Sequence, residues 1–264
     1  MSAREDVGPA ALILAGSRPG APDPVALSEG VAHKALAEAG GVSLLERVAR
    51  ALQGAGVTRI AVSADAPEVV ALAGRLGLEV IAPAAGPAQS VALGLAALGA
   101  PLLVTTADHA LLEPGWVRDF LADSPPGSDV AVLLARRELV EAAAPGSRRT
   151  WLRFADGQWS GCNLFLLASP RAEAALVLWR RVEAERKRPW RLAARIGFGT
   201  LAQYLLGRLG LGEAVARLGR RNGLVAAVVA ARDGLAAVDV DRPGDLVQVR
   251  AILDRRLATE TPPE

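Results

Sequence analysis

The sequence predicts an α/β domain on a mixed, mainly parallel sheet, and three observations predict it. Short apolar runs of strand length alternate with stretches of helical spacing through the first half of the chain. The connections between them are short, which places successive strands in one sheet. The chain has 264 residues, 51% hydrophobic and 22% charged, enough to bury one substantial core without a covalent staple. That composition excludes a disordered or low-complexity protein. A single cysteine, Cys162, excludes an internal disulfide and a multi-cysteine zinc site.

Each element has its own signal. Ala11–Ala15 is a short apolar run ending at Gly16, which fits a buried strand feeding a loop. Gly16 to Gly30, rich in Gly, Pro, Ser and Asp, reads as loop. Ser43–Ala55 carries Leu44, Leu45, Val48, Ala51 and Leu52 on one helical face. Strands are expected at Arg59–Ser63 and Glu79–Ala82, with a helix around Pro67–Leu76 between them. A helix at Ser90–Leu98 and a strand at Leu102–Thr106 follow, then a helical segment at Glu113–Leu121 and a strand at Asp129–Leu134. Trp151–Phe154 and Gln158–Leu167 form a hairpin about Ala155-Asp156-Gly157, so the sheet is mixed. Ala172–Arg186 is a helix, Leu224–Ala230 a last buried strand, and Asp245–Leu257 a charged amphipathic terminal helix. One domain over 1–264 with a basic helical insertion at about 187–222 is the expected organisation.

Two features bear on compartment. The first residues are mixed in charge and reach Gly8-Pro9 before any long apolar run, unlike a signal peptide. Val80 to Ala107 carries no charge, but Pro83, Gly86, Pro87, Gly94, Gly99 and Pro101 interrupt it, so no membrane-spanning helix is expected. A cytoplasmic protein is the default expectation.

Ligands of open α/β sheets sit beyond the carboxyl ends of the strands. Gly16-Ser17-Arg18-Pro19-Gly20 lies at such an end, where glycines let backbone N–H groups approach phosphate and Arg18 adds charge. It is neither a Walker A loop nor a Gly-x-Gly-x-x-Gly fingerprint, and an ordinary turn explains such a loop equally well. Asp108 ends an uncharged strand and is placed to hold Mg²⁺ through its oxygens. In Asp239-Val-Asp241-Arg-Pro-Gly-Asp245, Asp245 starts the terminal helix, while Asp239 and Asp241 alternate, so only one of them enters the site if the strand persists. Of 30 basic residues only Lys34 and Lys187 are lysines. Lys34 stands beside His33, and a compact point charge suits a tight phosphate pocket better than a guanidinium fork. Lys187, inside Glu-Arg-Lys-Arg, reads as incidental. His109, directly after Asp108, contacts a phosphate or, preferably, supports its neighbours from behind. Asn163 either hydrogen-bonds an acceptor hydroxyl or makes a turn, and Cys162 reads as a small buried residue.

Leu14-Ala15-Gly16, His33-Lys34-Ala35-Leu36, Gly41-x-x-Leu44-Leu45-Glu46-Arg47-Val48, the Asp108 strand end and Asp239-Val-Asp241-x-Pro-x-Asp245-Leu246 occur in this order. Together they resemble the MobA-like nucleotidyltransferases over about residues 8–256. The resemblance implies a three-layer αβα, Rossmann-like fold of GT-A type. It implies that Leu14, Ala15, Gly16 and Ser17 wrap a triphosphate, that Lys34 and Arg18 contact it, and that Gly86 and Ser90 line a nucleoside pocket. It also implies that Asp108 and Asp241 bind Mg²⁺. This chain departs from the family loop, Gly-Gly-x-Ser/Thr-x-Arg-Met-Gly followed closely by Lys, because Lys34 comes well after Gly20.

The chemistry implied is transfer of an NMP from an NTP to a phosphorylated sugar, alcohol or lipid precursor, with release of pyrophosphate. A phosphate acceptor is already anionic near neutral pH, so in-line positioning and charge neutralisation suffice without a strong base. A molybdenum-cofactor guanylyl- or cytidylyltransferase is one alternative. A glycosyltransferase is another, although the metal strand would then carry Asp-x-Asp where Asp108-His109-Ala110 stands. A non-catalytic nucleotide-binding, membrane-docking protein is a third.

From Arg171 to Asn222 there are twelve Arg or Lys against four Asp or Glu, a net of +8 in a chain of net +2. Within 188–211, Trp190, Leu192, Ile196, Leu201 and Tyr204 interleave with Arg188, Arg191, Arg195 and Arg208. The segment reads first as a flap or subunit contact and second as a peripheral contact at the inner membrane face. No nucleic-acid-binding module is recognisable, so no nucleic-acid partner is expected.

Overall fold

The computed structural model describes residues 8–17, 20, 22–185 and 197–260. Its strands are β1 (Ala10–Leu14), β2 (Glu38–Ala39), β3 (Val42–Ser43), β4 (Ile60–Ser63), β5 (Glu79–Ile81), β6 (Leu102–Thr106), β7 (Val130–Arg136), β8 (Leu152–Phe154), β9 (Gly157–Leu167) and β10 (Ala226–Ala230). The main sheet runs β10-β7-β9-β6-β1-β4-β5, with β8 paired to β9. Within it only the pairings of β9, with β6, β7 and β8, are antiparallel. The parallel remainder places the ends of β1, β4, β5 and β6 on one rim.

Strand alternation sends successive side chains to opposite faces, and each face has its own core. Ala11, Ile13, Val62 and Leu103 meet helices α2 (Leu44–Gly54), α3 (Pro67–Arg75), α5 (Pro114–Asp123) and α6 (Arg137–Ala143). Leu12, Ala61 and Val104 meet α4 (Pro87–Leu98) and α7 (Glu173–Glu185). A third cluster, around Leu111, Val238, Val240 and Leu246, is closed by α1 (Pro24–Glu29) and α10 (Pro243–Glu260). Helices on both faces of a mixed, mostly parallel sheet agree with the predicted fold.

The structure corrects three readings. The 16–30 loop contains α1: Asp23 accepts from Val25 and Ala26 N–H, Pro24 opens the helix, and Gly30 (φ 65°) closes it. The residues that suggested loop stand in capping positions. β10 lies at the sheet edge, half-buried rather than interior. Asp239–Asp241 belongs to no strand, so the alternation argument does not apply there. Within the insertion, α8 (Phe198–Leu205) and α9 (Leu211–Arg221) are separate helices. Trp190, Leu192, Ile196, Arg188, Arg191 and Arg195 lie outside the described residues.

Candidate active site

The rim at the ends of β1 and β6 gathers most of the predicted residues. Lys34 reaches it from a 3-10 turn, Lys34–Leu36, which His33 caps by accepting from the Ala35 N–H at 3.0 Å. The Lys34 ammonium donates to Asp108 Oδ2 at 2.5 Å and to Asp241 Oδ1 and the Val240 carbonyl, each at 3.4 Å. Burial alone would depress the lysine pKa, but Asp108 and then Asp241 outweigh it and raise it above the ordinary value. Lys34 is therefore a permanent cation.

Asp108 is aimed by its own strand end, where Thr106 Oγ1 donates to Oδ1. Its carbonyl accepts from Val240 N–H at 3.0 Å, which ties the 239–241 segment to β6. Asp245 Oδ2 accepts from the Asp241 and Arg242 N–H groups at 3.2 and 2.8 Å, the helix-starting role expected of it. The Asp241 side chain is 62% exposed and faces solvent at the mouth.

Asp239 is present too, but differently used. Its side chain is 16% exposed and ion-paired with Arg149, whose side chain is 8% exposed. Burial pushes the Asp239 carboxyl up, with Arg149 opposing. Its second oxygen accepts from Asn163 Nδ2 at 2.7 Å. Asn163 has φ 48° and sits where β9 shifts register against β7, so a bulge re-aims its side chain. Sequence reasoning missed Arg149, because one arginine among so many carries no signal.

The glycine loop and the β5 loop meet beside this cluster. A Cβ on Gly16 would lie 3.2 Å from Pro83 Cβ, so a larger residue would force the two loops apart. Ala15 is buried, Leu14 half-buried and Ser17 exposed, the Ser17 N–H pointing at Asp65 Oδ1 from 3.5 Å. Arg18 lies outside the described residues. Gly86 caps α4 in extended conformation. Ser90 braces the same loop rather than offering a free hydroxyl: its Oγ accepts from Ala84 N–H and donates to the Gly86 carbonyl, and the residue is 4% exposed.

His109 is also placed behind the site. It is 1% exposed, lies 3.4 Å from Thr105 Oγ1 through Nδ1 and stacks 6.5 Å from Trp116. Burial holds its pKa down to about 4 against the pull of Asp108. Cys162 is buried, and burial pushes its thiol up. It is the small buried residue expected.

Among the described residues no three His, Cys, Asp or Glu side chains form a ready metal cage. Asp108 and Asp241 nevertheless converge on one cationic group, the Lys34 ammonium. Mg²⁺ commonly takes one or two carboxylates and completes its shell with phosphate and water, so this donor set fits it.

A family model described as a MobA-like NTP transferase domain matches residues 11–233. A hypothetical transferase structure from Thermus thermophilus is 33% identical, with TM-score 0.76, over 90% of this chain and 99% of that one. A nucleotidyl transferase from Methanothermobacter is 22% identical, with TM-score 0.56, over 95% and 98%. The 2-C-methyl-D-erythritol 4-phosphate cytidylyltransferase of Thermus thermophilus is 17% identical, with TM-score 0.51, over 93% and 98%. No curated protein sequence matches.

Proposed function

The chain belongs to the MobA-like NTP transferase domain family, which makes it a nucleotidyltransferase, and from that premise we propose a Mg²⁺-dependent enzyme that moves an NMP from an NTP to a phosphorylated acceptor. The observation that carries the reading is the Lys34 ammonium between Asp108 and Asp241 at the end of β6.

In this proposal the backbone from Leu14 to Ser17, with Arg18, receives the triphosphate, and the β5 loop from Pro83 to Gly86, braced by Ser90, walls the nucleoside. Lys34 is held with its charge fixed, ready to leave its carboxylates for phosphate oxygens that arrive with more negative charge. Asp108 and Asp241 would hold Mg²⁺, which neutralises the phosphates and favours loss of pyrophosphate when bound. Asn163, held through its amide nitrogen by Asp239, is assigned the acceptor side. An acceptor phosphate attacks the α-phosphorus, the bond to the bridging oxygen of pyrophosphate breaks, and no side-chain base is needed. The acceptor is a phosphorylated sugar, alcohol or lipid precursor, and the cytidylyltransferase among the structural neighbours acts on a sugar-alcohol phosphate by its name. Pyrophosphate release measured across four NTPs and a panel of such acceptors tests the reading. Release that needs NTP, acceptor and Mg²⁺ together supports it, and none with any pair overturns it.

One observation favours a second contact. Tyr204, Leu205 and Leu206 are 43%, 74% and 65% exposed beside exposed Arg208, while Leu209 and Leu211 anchor the same segment to the β8–β9 turn. We propose that this tip of the basic insertion rests on an anionic membrane, where a lipid-precursor acceptor would reside.

A further inference from the structure

We propose that Arg149 and Asp239 form a positioning clamp: a part-buried ion pair that holds the 239–241 segment and Asn163 where the site needs them. Arg149 grips one residue twice, its Nη1 on Asp239 Oδ1 and its Nη2 on the Asp239 carbonyl at 3.2 Å. Its Nε donates to Ser147 Oγ at 3.2 Å, so the guanidinium itself is fixed from the loop after α6. A planar fork spreads its donors over three nitrogens to meet these partners, whereas a lysine ammonium carries all of its donors on one atom.

The grip controls two parts of the site. Asp239 and Asp241 flank Val240, whose N–H reaches the Asp108 carbonyl in a segment outside any helix or strand. Releasing Asp239 therefore loosens the tie that brings Asp241 to Lys34. On its other oxygen, Asp239 takes the Asn163 amide nitrogen and fixes which way that amide faces. Asn163 holds a left-handed φ of 48°, which asparagine adopts more readily than other non-glycine residues, so the contact with Asp239 sets the amide rather than the backbone.

Fold stability is a poor reason for such a pair. Taking the two charges most of the way out of water offsets much of what their attraction returns, and an apolar pair of similar volume often does as well. A geometric role is what remains. The clamp itself stands on these contacts, and only its effect on turnover rests on the nucleotidyl-transfer reading.

The test uses the full chain with Arg149→Lys and with the double variant Arg149→Met/Asp239→Leu, which replaces the pair by apolar groups and leaves no lone charge. Three readouts are taken: hydrogen exchange at the Val240 amide, Tm, and kcat and KM for pyrophosphate release. The expected result in both variants is Val240 exchange faster by about tenfold or more, with Tm within a few degrees of the parent. The kcat falls by about tenfold or more while the NTP KM stays within about threefold. Unchanged Val240 exchange in both variants overturns the clamp. So does a collapse of Tm in the double variant, which would make the pair a stability element, or parental kcat in a variant whose Val240 exchange has risen. If the parent protein releases no pyrophosphate with any nucleotide, the functional reading fails instead, and Val240 exchange still decides the clamp.

Discussion

Arginine supplies 28 of the 30 basic residues, yet the position that faces Asp108 and Asp241 is a lysine. The pocket explains the choice, since one compact ammonium answers both carboxylates within 3.4 Å. Lys34→Arg is expected to keep the fold and lower turnover by about 10²-fold, the scale of losing one well-placed donor. Parental turnover in that variant would make the lysine incidental. Because Lys34 has a raised pKa, the stability it adds is complete below about 10.5 and is lost only as pH rises through its folded value. His109 acts the other way. Its folded pKa of about 4 lies below the ordinary 6.5, so the unfolded chain binds the extra proton and stability falls as pH drops from 6.5 toward 4. The loss is on the order of 3 kcal/mol. His109→Phe should flatten that part of the Tm–pH curve relative to the parent, and a curve of unchanged slope would contradict the assignment. Residues of this kind were unevenly legible. Lys34 and Asp108 stood out by scarcity and by strand position. Arg149 did not, because its significance lies in burial against Asp239, which no spacing encodes.

Elements were legible where a period or an uncharged run set them. The β6 bounds are as read, and α2, α3 and the β8–β9 hairpin differ from the reading by a residue or so at their ends. α1 was hidden because Asp23, Pro24 and Gly30 serve equally as loop formers and as helix caps. The 3-10 turn Gly234–Ala237 was hidden as well, although it feeds the chain into Asp239. Gly234 packs so closely that a Cβ there would lie 2.1 Å from the Leu139 carbonyl oxygen of α6. Backbone cannot yield as a side chain can, so Gly234→Ala should cost about 2 kcal/mol or more, read as a Tm several degrees lower. Gly94→Ala is the contrasting case. Its Cβ would meet the end of the Leu12 side chain at 2.4 Å, which can turn aside, and the helix gains propensity. Its expected cost is about 1 kcal/mol or less, and equal losses in the two variants would refute the distinction.

At the scale of the molecule, charge and chemistry are segregated. The 171–222 stretch holds a net +8, while the rim proposed as the active site is built from acidic side chains around one lysine. No helix among the described residues is long and apolar enough to cross a membrane, so the lipid contact proposed for the insertion is a peripheral one. Co-sedimentation with anionic vesicles, weakened by salt and by Leu205→Ser/Leu206→Ser, is the expected behaviour. Recovery in the supernatant with anionic and neutral vesicles alike would leave the insertion as a flap on the β8–β9 turn. The family and its sheet were legible in the order of motifs along the chain. The acceptor side was not, since the wall proposed for it comes from a bulge at Asn163 and a loop ion pair that only folding brings together. Asp108 is the carboxylate proposed to hold Mg²⁺ against the nucleotide. Its most direct test is Mn²⁺ binding, in the presence of a non-hydrolysable NTP, to the parent and to Asp108→Asn, followed by electron paramagnetic resonance with Tm recorded alongside. Nucleotide-dependent Mn²⁺ binding in the parent, lost in a variant of parental Tm, is the expected result. Equal binding in the two proteins would contradict it.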